Sequence, residues 1–339
     1  MKKYKYSSTS LSGFKKLAFS SAIAMSLAVG QSAFAAEHQW DAWNIHGDGY
    51  PNTVALDKFA ELLASRSDGR MALNVTRDSE LGSQVEAIQK VIDNEIPVAN
   101  FSLGPLGQVA AATNVVSLPF IFKDMGHMHR AMDGEAGDII AADLESKGLV
   151  ALAWYDSGAR SFYNKKHPIN SPDDIEGLTF RVMGNDLYSG MIEAMGGTPK
   201  KIAFPKVLSA LQVGEIDGAE NNWPSYEGTS HYKEAGYYSL SQHLIIPECV
   251  CFNADVYNAL SADDQAIVKQ AARESAELQR VLWEERAAAS REKVMKSGVE
   301  FNKVSNKRAF QGAMRPVYGK YLAVNPELAP LVDLIRETD

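Results

Sequence analysis

Tyr237-Tyr-Ser-Leu-Ser-Gln-His-Leu-Ile-Ile-Pro-Glu-Cys-Val-Cys-Phe252 is an unusually long apolar and β-rich stretch, interrupted by Pro247. Proline cannot donate to a ladder, so the stretch does not read as one central strand. A segment of this kind can pass from one sheet to another. From Ser261, with Asp264 as its capping-box partner, a pattern rich in Ala, Glu, Gln and Arg then runs to Lys296 before Gly298 breaks it. That is too long for one compact layer and predicts a helix, straight or kinked, lying across two domains.

Working outward, the hydrophobic period alternates between two and about 3.6. Helices are predicted over 53–65, 85–92, 128–146, 187–195 and 206–211, and strands over 71–75, 97–103, 149–155, 161–164 and 178–183. The alternation indicates α/β layers with largely parallel sheet. The expected division is residues 36–157 with 246–280 as one domain, and 158–245 with 281–339 as the other.

The chain has 339 residues, 45% of them hydrophobic, with two cysteines and a net charge of −8. Disorder and a disulfide scaffold are excluded, and the acidic balance argues against a nucleic-acid partner. Residues 1–35 read as a secretory signal peptide: lysines at 2, 3, 5, 15 and 16, an apolar run from Leu17 to Val29, and Ala33-Phe-Ala35 as the cleavage site. The run is short of the roughly 20 residues that span a bilayer. Without residues 1–35 the chain keeps 29 basic and 42 acidic residues, a net of −13. A small anion would then have to be held by local arginines against an unfavourable global field.

Cys249 and Cys251 are expected as two buried thiols, because residues i and i+2 of an extended strand stand about 6.5–7 Å apart, at or beyond disulfide reach. No signature of a serine hydrolase, zinc protease, nucleotide-binding loop or EF-hand occurs, so no cofactor is implied. His127 and His129 do not converge on a helix, and a structural role is expected for them.

What remains are polar residues where strands end, the place where open α/β sheets bind ligands. Arg160 follows the strand 149–155, and Arg181 precedes the turn Gly184-Asn-Asp186. Two guanidiniums there could clamp a carboxylate by charge-assisted hydrogen bonds, or each could pair with a structural acid. Asp217-Gly-Ala-Glu-Asn-Asn-Trp-Pro-Ser-Tyr226 offers amides and rings suited to a polyhydroxylated ligand, though a helix start with Pro224 would look similar. The turn Trp43–Pro51 carries His46, Asp48 and Tyr50.

Leu81-Gly82, Ser117-Leu-Pro-Phe120, Gly158-Ala-Arg-Ser-Phe-Tyr-Asn164, Asp174-Ile-Glu-Gly-Leu178, Arg181-Val-Met183, Ala210-Leu-Gln-Val-Gly214 and Asp217-Gly-Ala-Glu-Asn221, in this order and spacing, resemble the substrate-binding proteins of tripartite ATP-independent periplasmic (TRAP) transporters, of the DctP type. The resemblance covers essentially the whole chain after residue 35. It implies a two-domain α/β periplasmic binding protein fold, with hinge strands and a long domain-spanning helix, that closes on its ligand. It also implies a monomer in the periplasm that delivers a carboxylate to TRAP membrane permease subunits and is not an enzyme.

By the same resemblance Arg181 forms the main salt bridge to the ligand carboxylate, with Arg160 as a second arginine from the other wall. Asn221 orients the ligand, and Phe204 is an aromatic group at the cleft. Ser102 and the His46 turn face the ligand, and Gln84, Tyr50 and Trp223 complete the expected ligand-binding set. The run 155–164 with 219–226 looks most like members that bind glucuronate or galacturonate. The chain departs from those in Ser83-Gln84, where they commonly carry acids, and in Asn94-Glu95-Ile96. Another organic acid, such as an aldonate, dicarboxylate or keto acid, is the alternative ligand. Alternative functions are a secreted sugar-acid lyase or hydrolase using Glu220 with His243 or Tyr226, and a ligand-sensing partner of a membrane receptor.

Overall fold

The computed structural model describes residues 36–339; the expected signal peptide, residues 1–35, lies outside the described residues. The strands are β1 (His38–Trp43), β2 (Met71–Val75), β3 (Val98–Ser102), β4 (Leu149–Tyr155), β5 (Ala159–Asn164), β6 (Thr179–Val182), β7 (Thr198–Lys201), β8 (Gly218–Asn221), β9 (Tyr237–Ile245), β10 (Glu248–Asn253) and β11 (Glu300–Lys303). They form two sheets, in the orders β2-β1-β3-β10-β4 and β11-β9-β5-β8-β6-β7.

The stretch 237–252 supplies one strand to each sheet. β9 runs beside β5 in the second sheet, and after Ile246-Pro247 the chain enters the first sheet as β10, between β3 and β4. The opposite passage runs from β4 through Asp156-Ser-Gly158 into β5. Both sheets are therefore mixed rather than largely parallel. β10 is antiparallel to β3 and β4, and β5 is antiparallel to β8 and β9. A strand arriving directly from the other sheet makes no helical crossover, so nothing constrains it to run parallel.

Helices Pro51–Arg66, Gln84–Ile92, Asp186–Glu193 and Val207–Gln212 form where the periodicity places them. The expected helix over 128–146 is divided into Met125–Met132 and Glu135–Glu145. Gly134 is extended between them, and Gly137 approaches the Met132 carbonyl so closely that a Cβ would overlap it. The long helix is continuous over Ala262–Lys296, 35 residues with Ser261 as N-cap, and spans about 52 Å at 1.5 Å per residue. Tyr155 Oη lies 2.7 Å from Ser275 Oγ, and Gln279 bonds both the N–H and the carbonyl of Asp156, at 2.8 and 2.9 Å. Farther along, Arg286 pairs at 2.6 Å with Glu227 of the helix Trp223–Gly228, which follows β8. One rigid element is thus fastened beside both sheets.

The cysteines depart from expectation: Cys249 and Cys251 are joined in a disulfide. The register of β10 against β4 shifts between Val250 and Cys251. This irregularity accompanies a Cα separation of 5.4 Å, within bonding range, where a regular extended pair would stand farther apart. Residues 307–337, for which the sequence reading makes no prediction, form the helices Lys307–Ala313, Arg315–Val324 and Ala329–Glu337. Phe310, Met314, Leu331 and Ile335 from this segment join one core cluster with Phe101 and Val116 on one side and Phe162 and Phe180 on the other.

Gly158, in the first passage between sheets, has φ +63°, and a Cβ there would stand 2.8 Å from the Trp283 indole. Gly158→Ala is expected to cost about 2–4 kcal/mol, combining left-handed strain with overpacking. Gly177→Ala, at φ +76° facing open space, should cost only the backbone part, about 1–2 kcal/mol. Urea unfolding of the two variants makes the comparison, and equal losses would remove the indole contact as the cause.

Candidate ligand-binding site

β1, β3, β6 and β8 end at one edge of the sheets, and β5 and β10, running the other way, begin there. The side chains at these ends enclose a cavity of about 210 Å³. That is smaller than the roughly 300–1,000 Å³ of sites for drug-sized ligands, and suits a small metabolite. Register brings its groups together across the ladders: Ser102 at the end of β3 pairs with Glu248 at the start of β10, and Ser161 beside Arg160 pairs with Asn221.

The two arginines are both buried, at 4% exposure, but their partners differ. Arg160 donates from Nε and one terminal nitrogen to the Glu220 carboxylate, at 2.6 and 2.8 Å. It also donates to the Glu220 carbonyl and to Asn221 Oδ1, both at 2.8 Å. Burial disfavours its charge, but the Glu220 carboxylate outweighs that and raises its pKa above the ordinary value. Arg181 donates from Nε to the Ile202 carbonyl at 2.8 Å and forms no salt bridge among the described residues. Burial, reinforced by Arg160 and opposed by Glu220, lowers it to about 10, so it remains a cation at neutral pH. Its Cζ lies 5.9 Å from the Phe204 ring centre. Arg181 is a desolvated guanidinium that lines the cavity and donates only from Nε among the described residues, which leaves its terminal nitrogens for an anionic ligand.

Of the nine residues expected from sequence, Arg181, Arg160, Asn221, Phe204, His46, Gln84 and Ser102 line this cavity. The His46 turn is held by Asn44, which donates to Thr53 Oγ1 at 2.7 Å and to the His46 carbonyl at 3.2 Å. Gln84 opens the helix capped by Ser83, and its amide donates to the Ser102 carbonyl at 2.8 Å, leaving its oxygen for the cavity. Tyr50 lies behind the wall: its ring stacks on His46 at 3.7 Å and its hydroxyl is 3.0 Å from Ser225 Oγ. Trp223 is elsewhere, stacked on Tyr238 at 3.9 Å and lining a separate cavity with Trp283.

Sequence reading missed Glu248, Ser157 and Ser225, which also line the site. For Glu248 a signal existed, since a lone acid inside an apolar run is seldom buried without a purpose. Glu220, Tyr226 and His243 are not among the lining residues. The Glu220 carboxylate is occupied by Arg160, the Tyr226 hydroxyl donates to the Ala235 carbonyl, and His243 stacks on Phe162. His127 is buried against Phe122, and His129 lies 2.7 Å from Asp156.

Residues 44–324 match the family described as bacterial extracellular solute-binding protein, family 7. The chain belongs to this family. A solute-binding protein of Chromohalobacter salexigens is 45% identical over 315 residues, covering 93% of this chain and 94% of that one. Among solved structures, a TRAP periplasmic solute-binding protein of Roseobacter denitrificans with bound β-D-glucuronate is 56% identical, covers 89% of this chain and all of its own, and superposes with a TM-score of 0.88. One from a Sulfitobacter species with bound β-D-galacturonate is 50% identical, covers 88% and 99%, and has a TM-score of 0.87.

For this family 7 solute-binding protein the unequal pairing of the arginines predicts unequal variants. Arg160→Met leaves Glu220 buried without its cation, and should destabilise the unliganded protein by about 3–5 kcal/mol. Arg181→Met removes a desolvated charge that forms no salt bridge among the described residues. It should leave the unliganded unfolding temperature equal or higher and abolish stabilisation by ligand; a destabilised Arg181→Met protein that still responds to ligand would refute the assignment.

Two buried histidines contribute to the acid sensitivity of the fold. Burial, with Arg181 adding to it, lowers His231 to about 3, and burial with Arg160 and Lys307 holds His243 well below its ordinary value. The unfolded chain takes up these protons below about pH 6.5 and the folded chain does not. Their stability contribution is therefore full above that pH and is lost as pH falls, for His231 over the range down to about 3, by up to roughly 1.4 kcal/mol per pH unit. His231 Nδ1 lies 2.8 Å from the Tyr163 hydroxyl. His231→Gln, which retains an amide for that hydroxyl, should make thermal unfolding less sensitive to acid; an unaltered pH dependence would exclude His231 as a source.

Proposed function

We propose that this protein captures a hexuronate, D-glucuronate or D-galacturonate, in the periplasm and delivers it as a monomer to the membrane permease subunits of a TRAP transporter. The observation that carries the reading is Arg181, a buried guanidinium without a carboxylate partner, facing a small cavity ringed by Ser102, Ser157, Gln84 and Asn221. The guanidinium takes the carboxylate, and the hydroxyl and amide groups satisfy the sugar hydroxyls, each of which is costly to bury unpaired. The uronates bound to the Roseobacter and Sulfitobacter proteins support the choice of ligand class. Residues 36–157 with 246–280, and 158–245 with 281–339, act as lobes that close on the ligand and exclude water, which strengthens the salt bridge at Arg181. The acid and base groups expected for a lyase, Glu220, His243 and Tyr226, are engaged within the protein away from the cavity lining, and the reading includes no catalytic step.

Thermal unfolding of the purified protein, stripped of carried-over ligand by denaturation and refolding, tests this against hexuronates, aldonates, C4-dicarboxylates and keto acids. A ligand bound only by the folded state adds RT ln(1 + [L]/Kd), about 2.7 kcal/mol at a hundredfold excess over Kd. A shift with D-glucuronate or D-galacturonate is expected. A shift with a different acid alone would replace the ligand while keeping transport, and no shift with any acid would overturn the reading of Arg181.

A further inference from the structure

We propose that Glu248, held beside His46, selects the charge of the ligand group that does not bind Arg181, so that the protein accepts sugar acids with one carboxylate and rejects the matching dicarboxylates; this rests on the uronate reading of the cleft. Glu248 is 3% exposed at the start of β10. Its Oε2 accepts from Asn52 Nδ2 at 2.9 Å, and Asn52 Oδ1 in turn accepts from Gln279 of the long helix at 2.8 Å. Its Oε1 accepts no hydrogen bond from the described residues, and His46 Nε2, 3.5 Å away and buried, has no partner either. Both residues line the cavity.

A carboxylate oxygen that accepts no hydrogen bond, 3.5 Å from an imidazole nitrogen, suits a hydroxyl group, which donates its proton to Oε1. A carboxylate in that place has no proton to give and meets Glu248 charge against charge in a water-poor cleft. The Phe204 ring neighbours both groups: Arg181 Cζ is 5.9 Å from its centre, and the His46 centre is 6.2 Å from it. Arg181 and Glu248 face one cavity without forming a salt bridge, so a ligand that reaches both must be anionic at one end and hydroxylated at the other.

Isothermal titration of the wild type and Glu248→Gln with D-glucuronate, D-galacturonate and D-glucarate reads the selectivity directly. Glutamine keeps the shape of the side chain and an oxygen for Asn52 while removing the charge. The wild type is expected to bind a uronate at least about a hundredfold more tightly than D-glucarate, and E248Q to reduce that ratio by at least about tenfold. An unchanged ratio in a folded variant overturns the proposal. So does a wild type that binds D-glucarate within about tenfold of its better uronate, whether or not the variant folds. If the wild type binds neither uronate, the ligand assignment has failed and this inference falls with it, a result distinct from uronate binding without charge selectivity.

Discussion

Two guanidiniums and two carboxylates are buried in and beneath the cleft, but only Arg160 and Glu220 pair with each other, and the unpaired Arg181 governs much of what surrounds it. Glu220 takes two bonds from Arg160 and so secures β5 to β8. Arg181, on β6, has only a carbonyl for its Nε. An ion without its counter-ion in a desolvated site is a cost to the folded chain, borne here by a large core and by the long helix fastened beside both sheets. The same cost becomes useful when an anion arrives, because the attraction acts where water is scarce.

The passages between the sheets place these groups. β4 into β5 and β9 into β10 bring Ser157, Arg160 and Glu248 to one edge, at the amino ends of strands that run against their neighbours. The other strands present their carboxyl ends at the same edge, so Ser102, Arg181 and Asn221 meet residues that lie far away in the chain. Glu248 brings an acid to the cleft from the start of β10, and Ser83 caps the helix that carries Gln84.

Much of this was legible in the residues. Pro247 within a long apolar run marked the passage of a chain between sheets, and the uninterrupted Ala, Glu, Gln and Arg pattern after Ser261 marked the long helix. Arginines and amides just inside strand ends marked the cleft. Trp223 read like a ligand contact because an aromatic among amides has the composition of a sugar site, but its ring packs on Tyr238. The expected single helix over 128–146 follows from an apolar period that continues through Asp133-Gly134, while the structure breaks there, with Gly134 extended and Gly137 close against the Met132 carbonyl.

By itself the sequence determined the alternation of helix and strand, the crossing segment, the long helix and the residue types of the site, because these follow from local period, capping and the conformational limits of proline. The tertiary structure alone decided which arginine is free and which is occupied, that Glu248 stands open beside His46, and that Cys249 and Cys251 approach closely enough to bond. Each of these depends on strand register or on contacts between residues far apart in the chain, down to a one-residue shift between β10 and β4. Neither composition nor spacing encodes such a shift, since it emerges only when the strands pair.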